Sequence, residues 1–163
     1  MDNIKELEAA KLKLLREKEQ IQHDLPHLYG WPWYPWAKKF FDSRNKTTLL
    51  CAANQISKSS TQIRKAIHWA TAQELWPALW GRTPNQGWYL YPSKEVATVE
   101  FEKKWLPEFM PRGNMKTSAY YGWDVEYDHK FVKAIHFHNG FSLYFKRKYL
   151  AKLFKRYENI YLY

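Results

Sequence analysis

An α/β domain with a partial parallel sheet and an N-terminal helix is what this sequence predicts, on three observations. A β-rich apolar run at residues 47–52 gives way, across a short loop, to a helical pattern beginning at Lys58. A second run, Gly87-Trp88-Tyr89-Leu90-Tyr91, stops at Pro92 and leads into a helical stretch capped by Ser93. Two more runs, at 131–136 and 141–145, flank the turn pair Asn139-Gly140. Strand followed by helix, twice over, is the pattern of parallel pairing, and the Asn-Gly pair marks a hairpin.

Each element has its local reason. Residues 3–23 read as a helix that Asp2 or Asn3 can cap, with Ile4, Leu7, Leu14, Leu15 and Ile21 forming a thin apolar stripe among many charges. Residues 25–36 hold Pro26, Pro32, Pro35 and Gly30, which work against regular structure, and the tryptophans among them read as cover for a core edge. Residues 37–43 look like a short helix. After Lys58, the residues Ile63, Ile67 and Ala70 fall on one face, with Gln62, Arg64 and Lys65 elsewhere. Residues 76–86 read as a loop. The helix after Ser93 is expected to end at Leu106, before Pro107.

At 163 residues, of which 45% are hydrophobic, the chain is sized for one core and is too apolar for a disordered one. Its 26 Lys plus Arg against 16 Asp plus Glu give a net charge of +10, and 18% of residues are aromatic. That balance suits a polyanionic partner such as nucleic acid, with a plain solvated basic surface as the rival reading. The single cysteine, Cys51, cannot close an internal disulfide and reads as a buried strand thiol in a reducing cytoplasm. No stretch approaches the roughly 20 apolar residues of a membrane span, and the charged N-terminus has no signal-peptide core. His136 and His138 share a strand face, but with no third ligand near them they make a poor zinc site. No convincing Ser–His–Asp set can be picked out.

The segment Ala52-Ala53-Asn54-Gln55-Ile56-Ser57-Lys58-Ser59 carries the chemistry. It matches a phosphate-binding loop with Ser57 in place of the glycine before the lysine. In such a loop, backbone N–H groups and a helix start cradle phosphates. Lys58 reaches the β- and γ-phosphates as the catalytic cation, Ser59 holds Mg²⁺, and Ser60 completes the nucleotide-contacting set 52–60. The missing glycine permits close approach or an unusual φ; a serine there costs about 1 kcal/mol or more if φ is positive. Hydrolysis also needs an apolar strand ending in Asp-Glu, and none is found. Trp123-Asp124 and Tyr127-Asp128 do not follow apolar runs.

Taken together, these blocks resemble the N-terminal ATPase part of the large terminase subunit of tailed bacteriophages. The loop is similar to that family's Ala-Asn-Gln-x-Gly-Lys-Ser, and Thr61-Gln62-Ile63-Arg64-Lys65 continues in the same manner. Trp88-Tyr89-Leu90-Tyr91-Pro92-Ser93, Val96-Ala97-Thr98-Val99-Glu100-Phe101-Glu102-Lys103-Lys104-Trp105 and the 141–146 run are similar to the strands and helix that follow. The likeness covers roughly residues 25–146. It implies a P-loop NTPase-like fold and an ATP- and Mg²⁺-dependent motor that drives double-stranded viral DNA into a capsid. It further implies an oligomeric ring, a portal protein and a small terminase subunit as partners, a nuclease domain in full-length members, and a bacterial host cytoplasm. Ala37 stands where such proteins often carry an adenine-contacting Gln.

The expected organisation is therefore a helix at 1–24, a partial ATPase domain at 25–146 and a basic tail at 147–163. Lys146, Arg147, Lys148, Lys152, Lys155 and Arg156 face a single acid, Glu158, in the last eighteen residues. Their Lys-, Tyr-, Leu-, Phe-, Asn- and Ile-rich wording reads as an A/T-rich prophage gene translated out of frame. A tail that contacts DNA phosphates is the rival. On this reading the chain is a terminase fragment, inactive alone for want of the acidic strand and the nuclease domain. The alternative is a non-enzymatic DNA-binding or portal-interaction module.

Overall fold

The computed structural model describes residues 2–30, 32–45, 48, 57–80, 85–147 and 160–161. The expected strand at 47–52, apart from Thr48, lies outside them, as do Cys51, the loop residues 52–56 and most of the tail.

The chain opens with α1 (Asp2–Asp24), 23 residues long and exposed over nearly all of its length. Its end is pinned. The buried Asp24 carboxylate accepts a hydrogen bond from Gln20 Nε2 (2.9 Å) and lies 3.0 Å from His23 Nδ1. The His23 bond above all, helped by Gln20 and the Asn114 backbone, holds its pKa below the ordinary carboxylate value against the opposing effect of burial. Gly113, at φ 54, lies so close that a Cβ would stand 2.6 Å from Asp24 Oδ1. Only glycine fits there.

The proline-rich stretch, expected to be irregular, contains two short helices, α2 (Pro26–Tyr29) and α3 (Pro35–Asp42). Each starts on a proline, whose fixed φ and missing N–H suit a first helical position. Helix α4 (Lys58–Thr71) buries Ile63, Ala66, Ile67 and Ala70, as its periodicity predicts. It also buries Arg64 and Lys65, which the periodicity put elsewhere. The loop expected at 76–86 begins with the helical turn α5 (Pro77–Trp80).

Among the described residues five strands make one sheet: β1 (Gln86–Tyr91), β2 (Trp123–Asp128), β3 (Phe131–Phe137), β4 (Ser142–Arg147) and β5 (Ile160–Tyr161), in the order β2-β3-β4-β1-β5. Strand β1 runs parallel to β4 and β5, while β2, β3 and β4 are antiparallel neighbours. The sheet is thus mixed, with parallel pairing confined to its β4-β1-β5 side. The β3–β4 hairpin turns at Gly140 (φ 95), as the Asn-Gly pair predicts.

Ser93 caps α6 (Lys94–Glu100), accepting the Val96 N–H at 3.3 Å. The helix does not stop at Leu106. It widens into a π-helical segment, Phe101–Phe109, that runs through Pro107. A proline ring clashes with the carbonyl four residues back in a regular α-turn; the wider turn relieves that clash. Phe101, Trp105 and Phe109 from this segment meet Tyr89, Tyr91 and Phe145 of the sheet in an aromatic core. Trp105 lies edge-on to Tyr89 (5.0 Å) and Phe145 (5.2 Å), and its Nε1 donates to Tyr91 Oη at 3.0 Å. Such edge contacts add about 1 kcal/mol each beyond area burial.

Candidate functional site

The start of α4 is the centre of the site. Ser57, just before it, has φ 63 and ψ 26, the left-handed conformation. This is the position at which the phosphate-loop pattern carries glycine, and here the backbone has the geometry that glycine adopts without strain. Ser57 is held there by its own carbonyl, which accepts both the Thr61 N–H (3.0 Å) and the Thr61 hydroxyl (3.0 Å). The Ser57 side chain makes no capping hydrogen bond to this helix start. The first-turn N–H groups of an α-helix point forward out of its N-terminus, carrying a partial positive charge.

Lys58, Ser59 and Ser60 form that first turn and are half-buried. Ser59 has a partner from far along the chain: Lys104 Nζ, on the π-helical segment, donates to Ser59 Oγ at 3.2 Å. One helical turn before Lys104 is Glu100, half-buried at the end of α6. Burial raises its pKa, opposed by the Lys104 charge and by a hydrogen bond with Tyr91. A relay of polar groups thus runs from Trp105 in the core through Tyr91, Glu100 and Lys104 to Ser59 at the helix start.

Beside Ser57 lies a narrow cleft with about 20 Å³ of free space, room for about one water molecule. Trp33, Tyr34, Ala37, Ser57, Ser60 and Arg64 are among the residues that line it. Arg64 holds the cleft together. Its Nε donates to the His27 carbonyl (2.8 Å), a terminal nitrogen donates to that of Leu28 (3.2 Å), and its guanidinium carbon lies 3.4 Å from the Trp33 ring centre. Trp33 also packs on Phe41 (4.5 Å), so it covers a core edge and faces the cleft at once. Lys65 repeats the device deeper in, donating to the carbonyls of Phe40 (2.6 Å) and Ser43 (3.1 Å). Burial lowers its pKa to about 8.

No family model, curated protein or solved structure matches this chain.

Of the site residues read from the sequence, Ser57, Lys58, Ser59 and Ser60 fall together at the α4 start. Ala52, Ala53, Asn54, Gln55 and Ile56 lie outside the described residues. Lys104, Glu100 and Arg64 are additions. Only the half-apolar helical setting of two charged residues, Glu100 and Lys104, at four-residue spacing signals them in the sequence. His136 and His138 lie elsewhere, on the antiparallel side of the sheet. His136 bridges Ser142 Oγ (2.9 Å) and Glu126 Oε2 (3.0 Å), while His138, in the turn after β3, pairs with Asp124 (2.9 Å). The Ser–His–Glu row is a cross-strand ladder rather than an acyl-transfer site. The Ser142 N–H is engaged by the Asn85 carbonyl (3.1 Å), so it is not available to an oxyanion. Among the described residues no three His, Cys, Asp or Glu side chains are grouped to hold a metal.

Proposed function

We propose that this chain is a nucleotide-binding ATPase part of a DNA-packaging motor of the terminase large-subunit kind. It takes the phosphates of ATP at the start of α4. The observation that carries the reading is the backbone of Ser57. A positive φ at the one position where the phosphate-loop pattern demands glycine is hard to reconcile with a chance Lys-Ser at a helix start. The parallel β4-β1-β5 pairing adds support.

Titration of a fluorescent ATP analogue tests it. Lys58→Ala is expected to weaken binding at least about ten-fold, because one charge-assisted phosphate contact is lost. Ser57→Gly is expected to bind more tightly than the natural chain and to melt a few degrees higher. Relief of a left-handed serine is worth roughly 1–2 kcal/mol, and the extra freedom of glycine in the unfolded chain takes back about half of that. Equal affinity in the natural chain and Lys58→Ala sinks the reading.

Double-stranded DNA, a portal protein, a small subunit and further copies of the chain are the partners of a motor of this kind. A non-enzymatic docking module is the second reading, favoured by α1, where Ile4, Leu7 and Leu14 are each about two-thirds exposed (64%, 66% and 66%). Duplex DNA binding separates the two. Both expect affinity to fall steeply with salt, given the net charge of +10. A motor expects ATP to alter it; a docking module expects no ATP effect, and salt-insensitive binding counts against both.

The motor reading also implies Mg²⁺ on Ser59. The residues present do not fit that ion well: the Ser59 oxygen already accepts a hydrogen bond from the Lys104 ammonium.

A further inference from the structure

We propose that Lys104 is the resident cation of this site, doing at Ser59 what a divalent ion does in a metal-dependent phosphate loop. The inference rests on the nucleotide-binding reading above and deepens it. Three observations carry it. Lys104 Nζ stands 3.2 Å from Ser59 Oγ, at the hydroxyl that a metal ion would otherwise take. Its helix is fixed in place by the neighbouring Trp105, buried in the aromatic core and bonded to Tyr91. Glu100, half-buried one turn back, places a carboxyl group near enough to Lys104 for their charges to interact.

An ammonium is a compact point charge with three donors, and one hydrogen bond to Ser59 leaves donors for phosphate oxygens. Lys58, adjacent in sequence to Ser59, adds a second cationic residue to the helix start. A divalent ion arriving at Ser59 meets like charge at contact distance and is disfavoured there. The site therefore takes a nucleoside triphosphate without an obligatory divalent ion.

Affinity for a fluorescent triphosphate nucleotide, measured in Mg²⁺ and in EDTA, tests this. The natural chain is expected to bind within about three-fold in the two buffers, and Lys104→Met to lose about ten-fold or more in EDTA, the scale of one charge-assisted contact. Lys104→Arg, which keeps the charge, is expected to stay near the natural chain in EDTA. A lost packing contact alone weakens binding equally in both buffers and does not produce that split. Binding by the natural chain only in Mg²⁺ overturns the proposal whatever the variants do, as does Lys104→Met matching the natural chain in EDTA. No binding in either buffer overturns the nucleotide reading as well.

Discussion

Arg64→Ala is expected to cost about 3 kcal/mol of folding stability and to open the cleft. The side chain is only 3% exposed, and burial lowers its pKa to about 10. Hydrogen bonds from a charged donor contribute roughly 1.5–3 kcal/mol each, and the carbonyls of His27 and Leu28 lose theirs together. The stacked Trp33 ring loses its cation as well, worth about 1 kcal/mol. Removal of a buried charge returns part of this, which sets the net figure. Arg64→Lys keeps the charge but not the planar fork, and is expected to cost about half as much. Urea unfolding measures both; a loss under about 0.5 kcal/mol for Arg64→Ala shows that the guanidinium does not hold the segment down. Nucleotide affinity should fall alongside, because the Trp33 segment that Arg64 ties down borders Ser57 at the helix start.

Acid should unfold this domain well before its carboxylates titrate. His27 is fully buried, and burial, then the His68 and Arg64 charges, push its pKa down from 6.5 to about 3. His68 is pushed from 6.5 to about 4 by burial first and then by Arg44 and Lys65, with Asp42 opposing. Trp76 Nε1 donates to His68 Nδ1 at 2.9 Å, which requires that nitrogen to be bare. Both folded-state values lie below the unfolded one, so the unfolded chain binds protons that the native chain refuses. Stability from this source is fully present above about pH 6.5 and falls as pH drops toward 4. Two such groups give a slope of about 2 kcal/mol per pH unit between pH 5.5 and 4.5. His27→Gln should halve it. A flat stability profile across that window, from urea unfolding at each pH, rules the account out.

The elements that the sequence announced are those with local punctuation. Pro92 and Ser93 bracket a turn, and Asn139-Gly140 supplies a positive φ, so β1, α6 and the β3–β4 hairpin were legible. Strand β2 was not. Its Trp-Asp-Val-Glu-Tyr-Asp wording alternates acids with apolar residues on an edge strand, and its register slips between Glu126 and Tyr127. Pro107 read as a stop because a proline's effect depends on the width of the turn that holds it. The site was half legible: Ser57, Lys58 and Ser59 lie in one motif, and the sequence-based condition on φ at Ser57 is met by the backbone. Lys104 touches Ser59 across 45 residues and Arg64 reaches His27 across 37. No local pattern encodes contacts of that separation.

The pinned end of α1 makes the helix a lever. A rise of 1.5 Å per residue sets Ile4 about 30 Å from Asp24. A swing of roughly ten degrees at that joint then carries Ile4 through about 5 Å. Displacements too small to disturb the aromatic core are thus multiplied at the tip, where the exposed Ile4 and Leu7 are presented.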